Sequence, residues 1–553
     1  MLKITNRRYK DSLGTKLLPL FIGLISYFHV VGFSALNPLN TSWINKGYNA
    51  DPIQHLLGWY FFRDDIWRVP LGANPNYGLE LGTSIVYSDS IPLLAIVFKL
   101  IPDFGISEFQ YFGFWLLICF VGQSISSFAL IKTFTKNYLL CSAGTILVVF
   151  MPFFFWRIQA HFALSGQFLI TVALLLVFRS RSANKDLLLR WILLLNICLL
   201  VHAYIFAMVF AIWISSFISA SKKLNYSYSQ ILQKILISFC SMTFTGLIIA
   251  GYDFSMTNSL TNSSVSYGTY RWNLLSPFVP GETSKIFANL SPGLGNFETY
   301  TYLGIGNILV ILIATVLYIR SRLVLVYVKE YFWIVGAVIG MALFALTNSL
   351  AIGNLRFHIA IPEILNALFS TFYASARFSW PLLYLITLAC IIFVVRIFDR
   401  KTFLTTFFIL LTVLQVVETS PLQTTIASYT HSRDKIASQG FISEEVWKNA
   451  KNSYTKLLVI PSSRESFGFP ALTYFSYKMG LATNSVYLSR INSDNLNKSR
   501  NNVIEALQSG KLKRDTIYVL KREEASNFTR SMNSKSLITE SGNLVFIFPQ
   551  NQS

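Results

Sequence analysis

Asp51 stands directly before Pro52 in the run Asp51-Pro52-Ile53-Gln54-His55, with Ile53, Leu56, Leu57, Tyr60 and Phe61 following at helical spacing. A carboxylate in that position caps a helix that has proline at its first turn. Held at a lipid–water boundary, the same carboxylate can also take a proton in general-base chemistry. The two roles are compatible. The apolar spacing predicts a helix lying on a membrane surface, with His55 one turn beyond Asp51. Two more acids are candidates for proton chemistry: Asp64, within Arg63-Asp64-Asp65, and Glu298, within Phe297-Glu298-Thr299-Tyr300. Asp64 and Asp65 beside Arg63 and Arg68 also read as a local ion-pair set, and Asp89 as a weaker acid that shapes the site.

Cations and aromatic residues recur at the ends of apolar runs: Trp156-Arg157 with His161, His202-Ala203-Tyr204, Tyr270-Arg271-Trp272, and Arg377-Phe378-Ser379-Trp380-Pro381. A single Arg at such a position is an ordinary interfacial anchor. Several on one side of a membrane, around a carboxylate, suit an anionic lipid headgroup, because guanidinium forks match phosphate oxygens. No HExxH spacing, P-loop or GxGxxG is present, so no metal site or nucleotide site is read from motifs. Cys119, Cys141, Cys198, Cys240 and Cys390 sit in apolar runs without paired spacing and read as small core residues.

The elements that must carry these residues follow from composition. Of 553 residues 53% are hydrophobic and 13% charged, about half the charged share of a soluble protein, and the mean hydropathy is +0.49. That excludes a single soluble globular domain. The net charge of +20 would suggest nucleic acid in a soluble chain, but in a membrane protein it reflects basic cytoplasmic loops.

Eleven stretches approach the roughly 20 residues that cross a bilayer. They are 16–36, 109–130, 138–155, 162–178, 187–204, 205–220, 231–252, 302–319, 331–350, 378–395 and 402–417. The first reads as an uncleaved anchor, and Ile91 to Ile101, too short to cross, as re-entrant or interfacial. Basic residues alternate between loops: Lys16, Lys132, Lys185, Lys222, Arg322 and Arg400 fall on one side. The positive-inside rule makes that side cytoplasmic and puts the C-terminus outside.

The expected organisation is a mainly α, polytopic helical membrane domain over 1–417, with a first outer loop at 37–90. A small extracytoplasmic α/β domain follows over 418–553. In it 457–461, 516–520 and 544–548 read as strands and 502–508 as helix. Its seventeen Lys and Arg against eleven Asp and Glu give +6, mild for a nucleic-acid binder.

This pattern resembles the GT-C superfamily of integral-membrane glycosyltransferases, which use a sugar carried on a polyprenyl phosphate. The resemblance rests on the span count, the large first outer loop with an acid soon after the first span, and the outer C-terminal domain. The short motifs above, with Asn273-Leu274-Leu275-Ser276-Pro277, look like a bacterial branch related to O-antigen-modifying transferases. The resemblance implies an inverting transfer to a cell-surface glycan or lipid-linked acceptor at the outer face of the inner membrane. It places the catalytic acid on Asp51 and phosphate-binding groups among His55, Arg157, His161, His202, Tyr204, Arg271 and Arg377. Families of this fold often pair acids near the first catalytic one, whereas Asp64-Asp65 lies thirteen residues beyond Asp51, so Asp64 is the alternative base. A divalent metal is compatible with this chemistry and not required by it. A transporter or flippase of a lipid-linked glycan, and an O-antigen polymerase or ligase, are the rival expectations.

Overall fold

A computed structural model describes residues 13–46, 51–82, 84–102, 108–183, 187–251, 266–287, 297–321, 331–398, 402–431, 442–450, 454–528 and 536–550. Of the basic residues used for orientation, Lys185, Arg322 and Arg400 lie outside these ranges, as does most of 253–296 on either side of 266–287. The chain forms two compact units. One comprises Met1–Asn37, Phe112–Thr243 and Ser264–His431; the other comprises Pro38–Tyr111, Phe244–Ser263 and Ser432–Ser553. The boundary expected at 417/418 thus falls within the first unit, and the first outer loop clusters with the tail.

Helices dominate the first unit. Over the described residues five helices are long and apolar enough to cross a membrane: Phe112–Lys132, Phe162–Ser180, Ala203–Lys223, Tyr228–Ala250 and Ser375–Ile397. The count reaches seven if two bent pairs, Tyr138–Val149 with Pro152–Ile158 and Thr402–Glu418 with Ser420–Thr430, are one span each. Four more apolar helices are shorter: Gly14–Val30, Leu188–Val201, Ile305–Arg320 and Phe332–Leu346.

The breaks have local causes. Pro152 cannot continue a helix from Val149 and forces Met151 into extended backbone. The carbonyls this frees are taken up by side chains: Asn307 donates to Leu147 O at 2.9 Å and Gln415 to Phe150 O at 3.0 Å. In an apolar surrounding such satisfaction is what lets a broken helix persist. At His202 the backbone turns extended between Leu188–Val201 and Ala203–Lys223, and the imidazole Nδ1 accepts from Tyr204 N at 3.1 Å, capping the second helix. The split into two helices here, rather than one long helix, follows from that cap.

Helix Gly14–Val30 approaches Phe112–Lys132 closely. A Cβ at Gly23 would lie 2.7 Å from Val121 Cα, and Ser124 donates to Pro19 O at 2.7 Å. Small residues permitting backbone contact are the usual means of helix pairing where lipid removes the hydrophobic drive. The cysteines are free; Cys119, Cys141 and Cys198 are buried as expected, but Cys240 is exposed, so it is not a core residue.

The first unit carries a hairpin, β1 (Ser349–Ile352) with β2 (Leu355–His358), and the second unit holds a five-stranded sheet. Strands β3 (Lys456–Leu458), β4 (Ala482–Thr483), β5 (Thr516–Lys521), β6 (Ser536–Ser541) and β7 (Leu544–Pro549) are ordered β4-β3-β5-β7-β6. Strand β3 pairs parallel with β4 and β5, and β7 antiparallel with β5 and β6. Three of these strands match the expected segments; β4, only two residues long, and the more polar β6 carry too little periodicity to be read from sequence. The helix read at 502–508 runs from Ser493 to Ser509, capped by Asn492, which accepts from Asp494 N and Asn495 N.

Segments of the first loop join this sheet unit directly. Gly78 N donates to Thr483 O at 2.8 Å and Thr483 N to Asn76 O at 3.0 Å, next to β4, while the Tyr60 and Tyr477 rings stack at 4.9 Å. The helix Asp51–Asp64 starts where expected, but every residue from Asp51 to Phe62 is buried. It is therefore a core helix of this unit. The expectation of a helix lying on a membrane surface is corrected, because Gln54 and His55 on its polar side are also covered and bonded to Tyr87 O and Ser88 O.

Candidate functional site

The first unit gathers three of the predicted site residues around a fourth, the carboxylate of Glu298. Arg157 comes from the short helix Pro152–Ile158 beyond the proline break, and His161 from the turn after it. Arg377 comes from the single turn Ser375–Ser379 that leads into Trp380–Phe398. Glu298 lies in the turn Phe297–Thr299. Arg157 Nη1 and Arg377 Nε each donate to Glu298 Oε2 at 2.8 Å, and His161 Nε2 lies 2.8 Å from Oε1. Arg157 Nη2 also donates to the Glu298 backbone carbonyl at 3.1 Å. Arg157, Arg377 and Glu298 are buried.

Aromatic side chains and backbone bonds fix the members. Arg157 lies over the Phe297 and Trp380 rings, at 5.4 and 5.2 Å, and Arg377 over Tyr204 at 4.6 Å. Trp156 stacks on Phe297 and Tyr300, and its indole N–H donates to Phe297 O at 2.9 Å. Ser276, in the Asn273-to-Pro277 motif, donates to Thr299 O at 2.8 Å and accepts from Thr301 N at 3.0 Å. Tyr204 Oη accepts from Ala374 N at 2.9 Å, three residues before Arg377.

Burial raises the Glu298 pKa, but Arg157, then Arg377, then His161 outweigh it and hold the carboxyl well below its ordinary value. A carboxylate so held stays ionised and is a poor proton acceptor. Its chemistry here is to hold two guanidinium groups and an imidazole together. Two guanidinium groups share one carboxylate, so cationic charge exceeds anionic charge in the cluster. Arg157 Nε and, beside it, Trp380 Nε1 are buried and have no hydrogen-bond partner among the described residues.

The other predicted residues lie elsewhere. His202 is the helix cap already described. Arg271 donates to Gly268 O at 3.0 Å, and among the described residues Glu298 pairs with Arg157, His161 and Arg377 rather than with it. Asp51, His55 and Asp64 belong to the second unit. His55 Nδ1 lies 3.0 Å from Ser88 O. Asp64 accepts a hydrogen bond from Tyr477, and Asp65 forms a two-pronged pair with Arg68 at 2.7 and 2.9 Å. Of the Arg and His residues expected around Asp51, Arg157, His161 and Arg377 are bonded to Glu298.

Glu418 escaped the sequence reading. It ends the apolar helix Thr402–Glu418, is fully buried, and accepts from Tyr302 Oη at 2.9 Å. Its signal was an acid closing an apolar run, which reads equally as the start of a polar tail. Among the described residues no group of three or more His, Cys, Asp or Glu side chains could hold a metal ion.

Comparison with curated proteins gives no match. Residues 20–420 match the model described as Domain of unknown function (DUF6311), and residues 446–549 match the DUF6311 C-terminal domain. Since the first match alone covers more than half of the chain, this protein belongs to the DUF6311 family.

Proposed function

We propose that this protein is a membrane glycosyltransferase that moves a sugar from a polyprenyl-phosphate carrier to a glycan or lipid-linked acceptor. The observation that carries the reading is the cluster of buried Arg157 and Arg377 with half-buried His161, in which cationic charge exceeds the one carboxylate holding it. Such a cluster suits a phosphate leaving group: negative charge builds on it as the glycosidic C–O bond breaks, and fixed cations stabilise that charge. The acceptor hydroxyl oxygen forms the new bond to the anomeric carbon, the phosphate leaves with the electron pair, and the configuration inverts. The acceptor proton goes to a carboxylate. Glu298, held ionised, is ill suited to it; the resemblance assigns the role to Asp51, with Asp64 as the alternative.

Helices occupying each of the eleven apolar stretches support a chain of eleven crossings. Lys and Arg alternation supports a cytoplasmic N-terminus, an outer C-terminal domain and residence in a bacterial inner membrane. Cysteine-accessibility labelling that found the tail on the cytoplasmic side would remove this topology.

The direct test is the purified full chain in vesicles with polyprenyl-phosphate sugars, together with mass spectrometry of the lipid that co-purifies. Transfer is expected. Arg157→Ala and Arg377→Ala should each lower it by about tenfold to a hundredfold, the worth of a desolvated charge-assisted contact. Arg271→Ala and His202→Ala should lower it less. Asp51→Asn, which keeps the shape and removes the charge, should fold and lose roughly 10²- to 10⁴-fold in turnover. Normal turnover in both cluster variants would end the reading. Passage of an intact lipid-linked glycan across the vesicle membrane, without cleavage, would replace it with a transporter.

A further inference from the structure

Between the apolar helices Phe332–Leu346 and Ser375–Ile397 the chain forms a two-stranded hairpin and a short helix. Strand β1 (Ser349–Ile352) pairs antiparallel with β2 (Leu355–His358), with Leu350 opposite Phe357 and Ile352 opposite Leu355. Gly353, at φ +60°, supplies the left-handed first position of the tight turn. Since successive strand residues face opposite sides, this register puts Leu350, Ile352, Leu355 and Phe357 on one face. Ser349, Ala351, Arg356 and His358 share the other.

The apolar side is open. Leu355 is 63% exposed, Phe357 52% and Ile359 61%. In the helix Glu363–Ser370, Ile364 and Leu368, one turn apart, are 78% and 60% exposed, while Phe369 packs on Tyr267 and Phe344. Leu343, in the last turn of the preceding apolar helix, is exposed as well. An isolated two-stranded hairpin is marginal in water, and so large an apolar face marks an interaction surface.

The polar side carries cations. Asn273 clamps the turn, donating to Gly353 O at 2.8 Å and accepting from Gly353 N at 2.9 Å. Two residues before it, Arg271 is half-buried, and Arg356 is near enough to repel its charge. Neither Arg pairs with a carboxylate among the described residues. Two neighbouring guanidinium groups beside an apolar face match the phosphates of an anionic leaflet, with the apolar face among the acyl chains. The flanking helices deliver the segment to the edge of the bilayer, which favours lipid over a soluble partner.

We propose that the hairpin and helix are a monotopic insert in the bilayer interface, with Leu355, Phe357, Ile364 and Leu368 among the acyl chains and Arg271 and Arg356 binding anionic phospholipid headgroups. The proposal rests on the chain being a membrane protein and not on the glycosyltransferase reading.

Phe357→Trp, and separately Ile364→Trp, in the full chain tests it. The chain holds eleven tryptophans, so emission is read as the difference from the parent in vesicles of phosphatidylcholine with phosphatidylglycerol. A blue-shifted signal, lost when either lipid is brominated and lost more with brominated phosphatidylglycerol, is expected. Adding Arg271→Gln with Arg356→Gln should erase the preference for the anionic lipid while leaving the general quenching. Signals from both positions that resist bromolipid but yield to aqueous iodide would overturn the insert and leave the face to a protein partner. Equal quenching by the two lipids, unchanged by the double Arg variant, would overturn the headgroup assignment. Neither readout depends on sugar transfer, so failure here and failure of the proposed function are separate results.

Discussion

Glu298 is a charge that the surrounding residues keep rather than one free to react. Its folded pKa is depressed by Arg157, Arg377 and His161 against the cost of burial. A depressed carboxyl contributes stability above its unfolded pKa of about 4.3, and that contribution is lost as pH falls through the folded value. Thermal melts of the detergent-solubilised full chain from neutral to acid pH should therefore show a loss confined to below about pH 4.3. Glu298→Gln should lack that share of the loss. At neutral pH the same variant leaves two buried guanidinium groups without their shared anion and should cost about 3–5 kcal/mol. A Glu298→Gln chain as stable as the parent at pH 7 would mean that the cluster is already neutralised by other groups. Of this cluster the sequence disclosed every member, since each sits in a short polar run at the end of an apolar one. What stayed hidden was the partnership, because Glu298 and Arg157 are 141 positions apart.

Breaks and close approaches in the helices give the site its shape. The helix Tyr138–Val149 begins at Asn137, whose side chain accepts from Leu139 N at 3.0 Å and Leu140 N at 3.2 Å. Asn137→Ala should cost about 1 kcal/mol, readable as a lowered Tm, with little effect on the Glu298 cluster because the Arg157 segment lies beyond the proline break. Gly23 makes a harsher case: a leucine there meets the Val121 backbone, which cannot swing away as a flexible side chain does. Gly23→Leu should separate this helix pair and lower the yield of folded protein, measured as the monodisperse fraction after solubilisation. Melting and yield equal to the parent would show that the two helices slide apart at no cost. Periodicity located these helices, while the side chains that seal the break at Pro152, Asn307 and Gln415, lie on segments far along the chain.

At the scale of the whole molecule, the sheet unit is assembled from three separate stretches of chain. The helix Asp51–Asp64 contributes buried residues along nearly its whole length, and Tyr474 and Lys478 of the tail bind Glu108 at 3.0 and 2.7 Å. A chain ended after His431 loses the sheet these segments pack on. Limited proteolysis should then cut within 51–62, whose burial in the full chain is expected to protect it. Equal resistance in both would mean that the first loop folds without the tail.

Composition by itself determined that this chain is a mainly helical protein with several apolar helices long enough to cross a membrane, because 13% charge over 553 residues cannot cover a soluble surface of that size. Local pattern also located most of the helices, the helix start at Asp51 and the central strands of the tail, since periodicity is a property of neighbours in sequence. The tertiary structure decided which acid the cations surround, Glu298 and not Asp51, and it buried a helix that its own spacing would place on a membrane surface. Both outcomes depend on segments more than a hundred residues apart coming together. No local signal encodes that, because pairing between charges and coverage of a helix face are set by whatever the fold brings alongside.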